Sequence, residues 1–547
     1  MALALFTGAC AGGDEGGVSD ERGAQPGVSG IDDQGEPVAG GDLVYALEAE
    51  SSGGWCLPES QLAISGIQIA RTIYDTLTAP DENGDIRPFL AQSVEPNATF
   101  DEWTVTLREG VTFHDGTPLD AQVVANNLDA YRGAYRARNP LLYRFVFSNI
   151  SAVTVTGPLT VTVTTATPWP SLPWFLFNSG RIGMIAQAQL DDAESCDREL
   201  IGTGPFMLDD WTVNQSFTAV KNPHYWQTDA DGSQLPYLDS IEYRPVPDGS
   251  QRVNLLQSGE VDLMHTALPS HIDSLRALGD DIGLIESDAF GEIGYLMLNV
   301  AEATADEPAR VFNSLTARRA AAHAIDRERL ISVRGLDIPS IAQGPFAPGN
   351  VGYLEETGFP DFDLERAKDL VAQYEEESGQ ELRIVLANAT DPDLVATGDM
   401  LEEMLTEAGI QVDRSQFEQA QLINNALGGS FDMIQWRNHP GGHPDLQYNW
   451  WATGSPVNFG KIEDPELQAL LDAGRAEPDP AAATAIYEDV NRRFAEQLYN
   501  LWQTFTIWTI GTDPDVSGVL GPDLPDGGGP FPGLAAGHPV SGLWIAD

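Results

Sequence analysis

The stretch Trp103–Leu128, WTVTLREGVTFHDGTPLDAQVVANNL, does most to restrict the fold of this chain. Trp103, Val105 and Leu107 alternate with Thr104, Thr106 and Arg108, the two-residue period of a strand with one buried face. Val111 and Phe113 resume the alternation after Gly110. His114-Asp115-Gly116 then supplies turn chemistry, with a glycine free to take a positive φ. Asp120 is placed to cap a helix burying Val124, Leu128 and Tyr131 at i, i+4 and i+7. Physical chemistry alone reads a strand, a turn and a capped helix here. None of these residues is arranged for catalysis.

Elsewhere the pattern is similar. Asp42–Leu47 reads as a strand running into the loop Gly53-Gly54-Trp55-Cys56. Ile64–Leu77 reads as a helix and Ile150–Thr167 as a hairpin turning at Gly157-Pro158. From Tyr295 onward, helices alternate with short strands. Leu296–Asn299 is a strand and Leu315–Leu330 a single helix. Asp363 caps a helix stopped by Gly379, and Glu381–Leu386 is a strand. Leu401–Ala408 lies on a helix stopped by Gly409, and Ile410–Val412 follows as a strand. Phe431–Trp436 is a strand, and Asp479-Pro480 opens a further helix. Leu501–Ile510 reads as one final buried strand, with a Pro- and Gly-rich tail beyond Gly511 wrapping the surface.

With 547 residues, the chain exceeds what one core organises, and 42% hydrophobic content suffices for several. Against 82 acidic residues stand 29 Lys and Arg, a net charge of −53. Such a surface repels nucleic acid and anionic lipid headgroups, which excludes a nucleic-acid role. The acids are spread along the chain, as expected of a hydrated surface. No apolar run of eighteen residues occurs.

Several blocks carry a resemblance. Leu-Arg-x-Gly-Val-x-Phe-His-Asp-Gly-x-Pro-Leu is similar to the signature of the family 5 solute-binding proteins, the extracellular receptors of peptide-type ABC importers. Gly202-Thr203-Gly204-Pro205-Phe206, Lys221–Trp226 (KNPHYW), Leu235–Asp239 and Leu256–Asp262 (LQSGEVD) resemble the same family in the same order. Gly202-Thr203-Gly204 lacks the third glycine of a dinucleotide loop.

The resemblance implies an α/β, two-lobed periplasmic-binding-protein-like fold of type II, of the large cluster with an extra inserted domain. The ligand cleft would lie between lobes joined by two hinge strands, near Tyr295–Asn299 and Thr504–Trp508. Lobe I would comprise 42–70, 200–295 and 505–547, with 71–199 inserted, and lobe II would comprise 296–504. Residues 11–41, Gly-rich and acidic, read as a disordered linker.

Met1–Cys10, MALALFTGAC, resembles the end of a bacterial lipoprotein signal with Cys10 as the lipidated residue. Thr7 stands where leucine is usual, and nine residues do not hold a full signal, so the reading places the true start upstream. If Cys10 carries lipid, Cys56 and Cys196 remain as an even pair in an oxidising compartment, expected to form a disulfide.

For the ligand site, the resemblance points to the loop after the Phe431–Trp436 strand. Trp436 would wall the ligand and Arg437 would offer a planar fork to a carboxylate. In typical peptide binders an aspartate three residues after this tryptophan accepts the ligand's ammonium. Here that position is His439, preceded by Asn438. Either another acid substitutes, with Asp445 and Glu48 the nearest choices, or the ligand lacks a free amino terminus. Ser51, Ser52 and Trp55 on the opposite lobe, with Tyr295 and Arg181, complete the candidates. His439 and His443 flank Pro-Gly-Gly, but no further spacing supports a closed metal site, so no metal and no cofactor are expected.

The expected partners are a peptide or other small solute and an ABC permease with its ATPase, served by a monomer held to the outer face of the cytoplasmic membrane, or periplasmic. A sensor or chaperone-like protein on the same fold is the alternative. A hydrolase is disfavoured, because no nucleophile elbow, zinc-binding helix motif or phosphate loop occurs.

Overall fold

The computed structural model describes residues 28–30, 35–50, 54–60, 62–140, 142–304, 309–438 and 441–546. Its strands gather mainly into three sheets. The largest has eight, in the order Val28–Ser29, Gly283–Ser287, Trp508–Thr512, Leu263–Thr266, Asp42–Leu47, Ser240–Pro245, Ser216–Lys221 and Phe206–Thr212. Asp42–Leu47 pairs in parallel with both neighbours, and the remaining pairs are antiparallel. A six-stranded sheet runs Ser340–Ile341, Asn500–Phe505, Ile293–Leu298, Met433–Asn438, Arg383–Ala389 and Gln411–Phe417. A four-stranded antiparallel sheet, Ala91–Pro96, Glu102–Leu107, Thr160–Thr165 and Ile150–Gly157, is inserted between strands of the first.

The constraining stretch folds as read. Trp103, Val105 and Leu107 are buried on one face of their strand, and the Asp120 carboxylate accepts from Val123 N at 3.0 Å at the start of helix Ala121–Tyr131. His114 reaches the second signature block, its Nε2 lying 3.0 Å from Gly204 O and its Nδ1 accepting from Gly202 N. A Cβ on Gly202 would lie 1.9 Å from Ile73 O, so only glycine allows that approach. The two signature blocks are thus scaffold that locks onto itself.

Two large cores result. One unites the eight- and four-stranded sheets, and the other surrounds the six-stranded sheet. The chain crosses between the eight- and six-stranded sheets twice, over Asp288–Glu292 and over Thr506-Ile507. Thr506 donates from both N and Oγ1 to Glu292 O at 2.9 Å, so the two crossings are bonded side by side.

Several local readings are corrected. Val28–Ser29 lies within the segment read as a linker, yet it pairs with Glu286–Ser287. Leu315–Leu330 is two helices, Leu315–Ala324 and Arg327–Arg334, because Asp326 caps the second through Arg329 N. Leu501–Ile510 is two strands in different sheets, and the first crossing precedes Tyr295–Asn299, most of which lies inside a strand. The tail beyond Gly511 contributes Val516, Leu534, Val540 and Leu543 to the first core rather than only covering it. Cys56 and Cys196 form the expected disulfide, with Cα atoms 5.1 Å apart. Among the described residues no helix is long and apolar enough to cross a membrane, and none of the His, Cys, Asp and Glu groups could hold a metal ion. Met1–Cys10 lies outside them.

Candidate functional site

Between the two cores lies a cavity of about 690 Å³, within the range of small-molecule sites. Its walls come from both sides. The first core's side gives Glu48, Tyr143, Arg181 and Arg252, and the six-stranded sheet gives Tyr295, Trp436, Arg437 and Gln503. Beside the crossings sit Glu292, Thr504 and Thr506.

The aromatic part of the wall is stacked in series. Trp436 and Trp450 both meet Phe459 edge-on, with ring centroids 5.6 and 5.7 Å apart. Tyr295 packs on Trp502 at 5.1 Å, and burial raises its phenol well above the ordinary value, so it enters the cavity wall as a neutral group.

The charged part is built on Arg437. Its Nη2 lies 3.3 Å from Glu48 Oε1 and its Nη1 lies 3.6 Å from Glu292 Oε2, while Glu292 also accepts from Trp508 Nε1 at 3.2 Å. Two carboxylates therefore share one guanidinium, at distances longer than a tight charge-assisted bond. Burial opposes charge on Glu48, yet the guanidinium of Arg437, helped by His265 and Arg252, holds its carboxyl below the usual range. Glu292 goes the other way: burial outweighs Arg437 and raises its carboxyl. Burial alone would lower Arg437, but the two acids carry it higher.

Over the whole cavity the lining acids are Glu48, Asp248, Glu292, Asp391 and Glu418, and the bases are Arg181, Arg252, Arg334 and Arg437. In a chain with 82 acids and 29 Lys and Arg, this near-equality is a local enrichment of arginine.

The residues expected from sequence divide clearly. Trp436, Arg437, Asn438, Glu48, Tyr295 and Arg181 line the cavity together. Asn438 donates to Gln447 Oε1 at 2.6 Å, and Arg181 donates to Leu62 O at 3.1 Å. Arg437 is not an unengaged fork awaiting a carboxylate, because it already faces two. Asp445 is not on the cavity wall. It is 1% exposed as a side chain, and accepts from Arg475 Nε at 2.9 Å, from Trp169 Nε1 at 3.0 Å and from Ser171 Oγ. A carboxylate so fully engaged has no capacity for a ligand ammonium. Trp55 is also a correction: it is wholly buried, edge-on to Trp211 and Phe217 in the first core. Ser51, Ser52 and His439 lie outside the described residues. Sequence reading missed Glu292, Arg252 and Trp450. Glu292 carried a usable signal, as a lone acid at the head of the apolar run Ile293–Leu298.

Comparison with known proteins agrees with this arrangement. A family model described as bacterial extracellular solute-binding proteins, family 5 Middle, matches residues 85–460. The glutathione-binding protein GsiB of Salmonella paratyphi A is 30% identical over 312 residues, 54% of this chain and 57% of that protein. The chain thus spans a little over half the length of the curated relatives it matches. Among solved structures, the periplasmic binding protein DppA of Helicobacter pylori, in complex with the peptide STSA, superposes with a TM-score of 0.81 at 20% identity, covering 93% of this chain and 99% of that one. AgaA of A. tumefacien R10, in complex with agropinic acid, gives 0.80 at 23% identity, with the same coverage of each chain. The fold is the two-lobed, type II binding-protein fold.

Proposed function

Because this chain belongs to the bacterial extracellular solute-binding proteins of family 5, we propose that it is the capture component of an ABC importer, closing on a peptide or peptide-like solute and presenting it to a membrane permease. The observation that carries this reading is the cavity of about 690 Å³ walled from both sheets beside paired crossings, the arrangement in which hinge closure buries a ligand. No bond is made or broken. The ligand favours the closed form only by the contacts it gains there.

In this reading lobe I comprises 42–70, 200–295 and 505–547, with 71–199 inserted, and lobe II comprises 296–504. The chain acts as a monomer, anchored through Cys10 to the outer face of the membrane. Glu48 and Glu292 receive the ligand's ammonium, since the pair leaves one negative charge uncompensated by Arg437. Arg252, whose Nε is buried without a partner, serves the carboxylate end.

Calorimetry with di- to tetrapeptides, glutathione and agropinic acid tests the ligand class, paired with native mass spectrometry of the purified protein. One-to-one binding of a peptide-like member, recovered chemically intact, is the expected result. A discrete non-peptide mass carried by the protein would replace the ligand class. Turnover lost on a single substitution would overturn the binding-only reading.

A further inference from the structure

The two halves also meet around the carboxylate of Asp445, which does not line the cavity. Asp445 belongs to the loop after strand Met433–Asn438, and its ion-pair partner Arg475 sits on helix Pro465–Ala476, whose Leu467 and Leu471 pack in the second core. Trp169 and Ser171, which donate to the same carboxylate, belong to the inserted segment, and Trp169 is buried in the first core. Asp445 thus takes its cation from its own half and two of its hydrogen bonds from the other.

Neighbouring contacts repeat this division. The Arg475 guanidinium carbon lies 3.6 Å from the ring centre of Tyr448 and 5.0 Å from that of Trp169. Phe145 stacks on Tyr448, with ring centroids 6.2 Å apart. Leu446, which also lines the cavity, leaves its own half to join the first core. Gly442 lies so close to Trp174 that a Cβ there would come within 2.0 Å of the indole. None of Asp445, Arg475, Trp169 and Ser171 lines the cavity.

We propose that this cluster is a ligand-independent latch: Asp445 is a positioning residue that biases the lobes toward closure, so that affinity is set partly by groups no solute touches. The inference rests on the hinge-closure reading above. When the lobes separate, the Asp445–Arg475 pair stays together but loses the Trp169 and Ser171 donors and the indole face over the guanidinium. Water takes the place of those donors in the open form, so each contact contributes only its net worth to closure, and together they weight the empty protein toward the closed form. A solute then adds its own contacts to a closure that the latch already favours.

The test measures the distance between nitroxides at Val155→Cys and Phe362→Cys, two exposed positions on opposite halves, in the full chain carrying Cys10→Ser. Pulsed electron resonance on the empty protein should show a dominant short distance. Ser171→Ala, which deletes one donor and leaves both rings in place, should shift the closed-to-open ratio toward open by about tenfold. Trp169→Phe should shift it further. Circular dichroism and the melting temperature establish that each variant is folded, and Ser171→Ala alone decides the matter if the indole variant is not. Two distances in the parent with unchanged proportions in Ser171→Ala would overturn the latch while leaving hinge closure intact. One distance, unmoved by the variants and by bound solute, would overturn the hinge reading and the latch with it.

Discussion

Two of the ion groups that span the halves of this molecule differ in how far their carboxylates are satisfied. Around Asp445, one carboxylate has an arginine, an indole N–H and a hydroxyl, all out of reach of the cavity. Around Arg437, two carboxylates divide one guanidinium at 3.3 and 3.6 Å while lining the cavity. The Asp445 carboxylate is satisfied, whereas the two on the cavity wall share one cation. A saturated carboxylate can only hold structure, whereas an under-compensated one on a cavity wall has capacity for a ligand. Acidity alone, abundant throughout this chain, does not distinguish them.

The largest effect should come from Arg475→Ala. It strands Asp445 with no cation in a buried setting and should cost about 3–5 kcal/mol in urea unfolding. A loss below about 1 kcal/mol would mean that Asp445 is not buried in solution. Arg437→Met should cost less, about 1–3 kcal/mol at pH 7, because Arg437 and Glu48 are partly exposed to the cavity. Glu292, already raised by burial, should then take up a proton readily, so the deficit should shrink as the buffer is acidified. A deficit that grows on acidification would break the contrast between the two groups.

Protonation also separates the groups. Beside Asp445, burial lowers His443 to about 4, so its folded form stays neutral while the unfolded chain titrates near pH 6.5. As pH falls from about 6.5 to about 4, the unfolded state gains the proton first, and stability is lost by about 1–3 kcal/mol. His443→Gln should flatten that part of the melting-temperature profile. His114 and His265, also held near 4 by burial, His538, lowered to about 3, and His271, lowered by burial, add slope of the same sign, and Asp75, raised to about 6 by burial, opposes it. The smallest effect belongs to Ser171→Ala, which should change global stability by about 1 kcal/mol. A global loss as large as that of Arg475→Ala would make the hydroxyl a structural element rather than a bias on opening.

Much of this was legible in one dimension. The strand at Trp103–Leu107 announced itself by alternation, Asp120 and Asp363 by capping position, and the helix ending before Gly379 by the glycine, which takes a φ of 69° there. Trp436, Arg437 and Tyr295 were placed on the wall by family likeness. Asp445 and Trp55 were misplaced for one reason: side-chain direction and saturation depend on partners 276 and 162 residues away, which no local pattern encodes. The break between Ala324 and Arg327 was a weaker miss, since Asp326 carried the cap signal inside an apparently continuous helix. Leu501–Ile510 looked like one strand because both of its pieces are buried, although by different sheets.

The eight-stranded sheet has a consequence for the order of assembly. Its strand Trp508–Thr512 lies between Gly283–Ser287 and Leu263–Thr266, so a central place stays vacant until nearly the whole chain has been delivered. The inserted four-stranded sheet, by contrast, closes within residues 91–165. As the polypeptide emerges from its amino end, the inserted sheet can form early from near neighbours, while the strand at Asp42–Leu47 waits for partners more than 190 residues downstream. The half of the protein that starts first is therefore completed last, and a chain stopped shortly before residue 508 would leave that sheet with two strands parted from the other five.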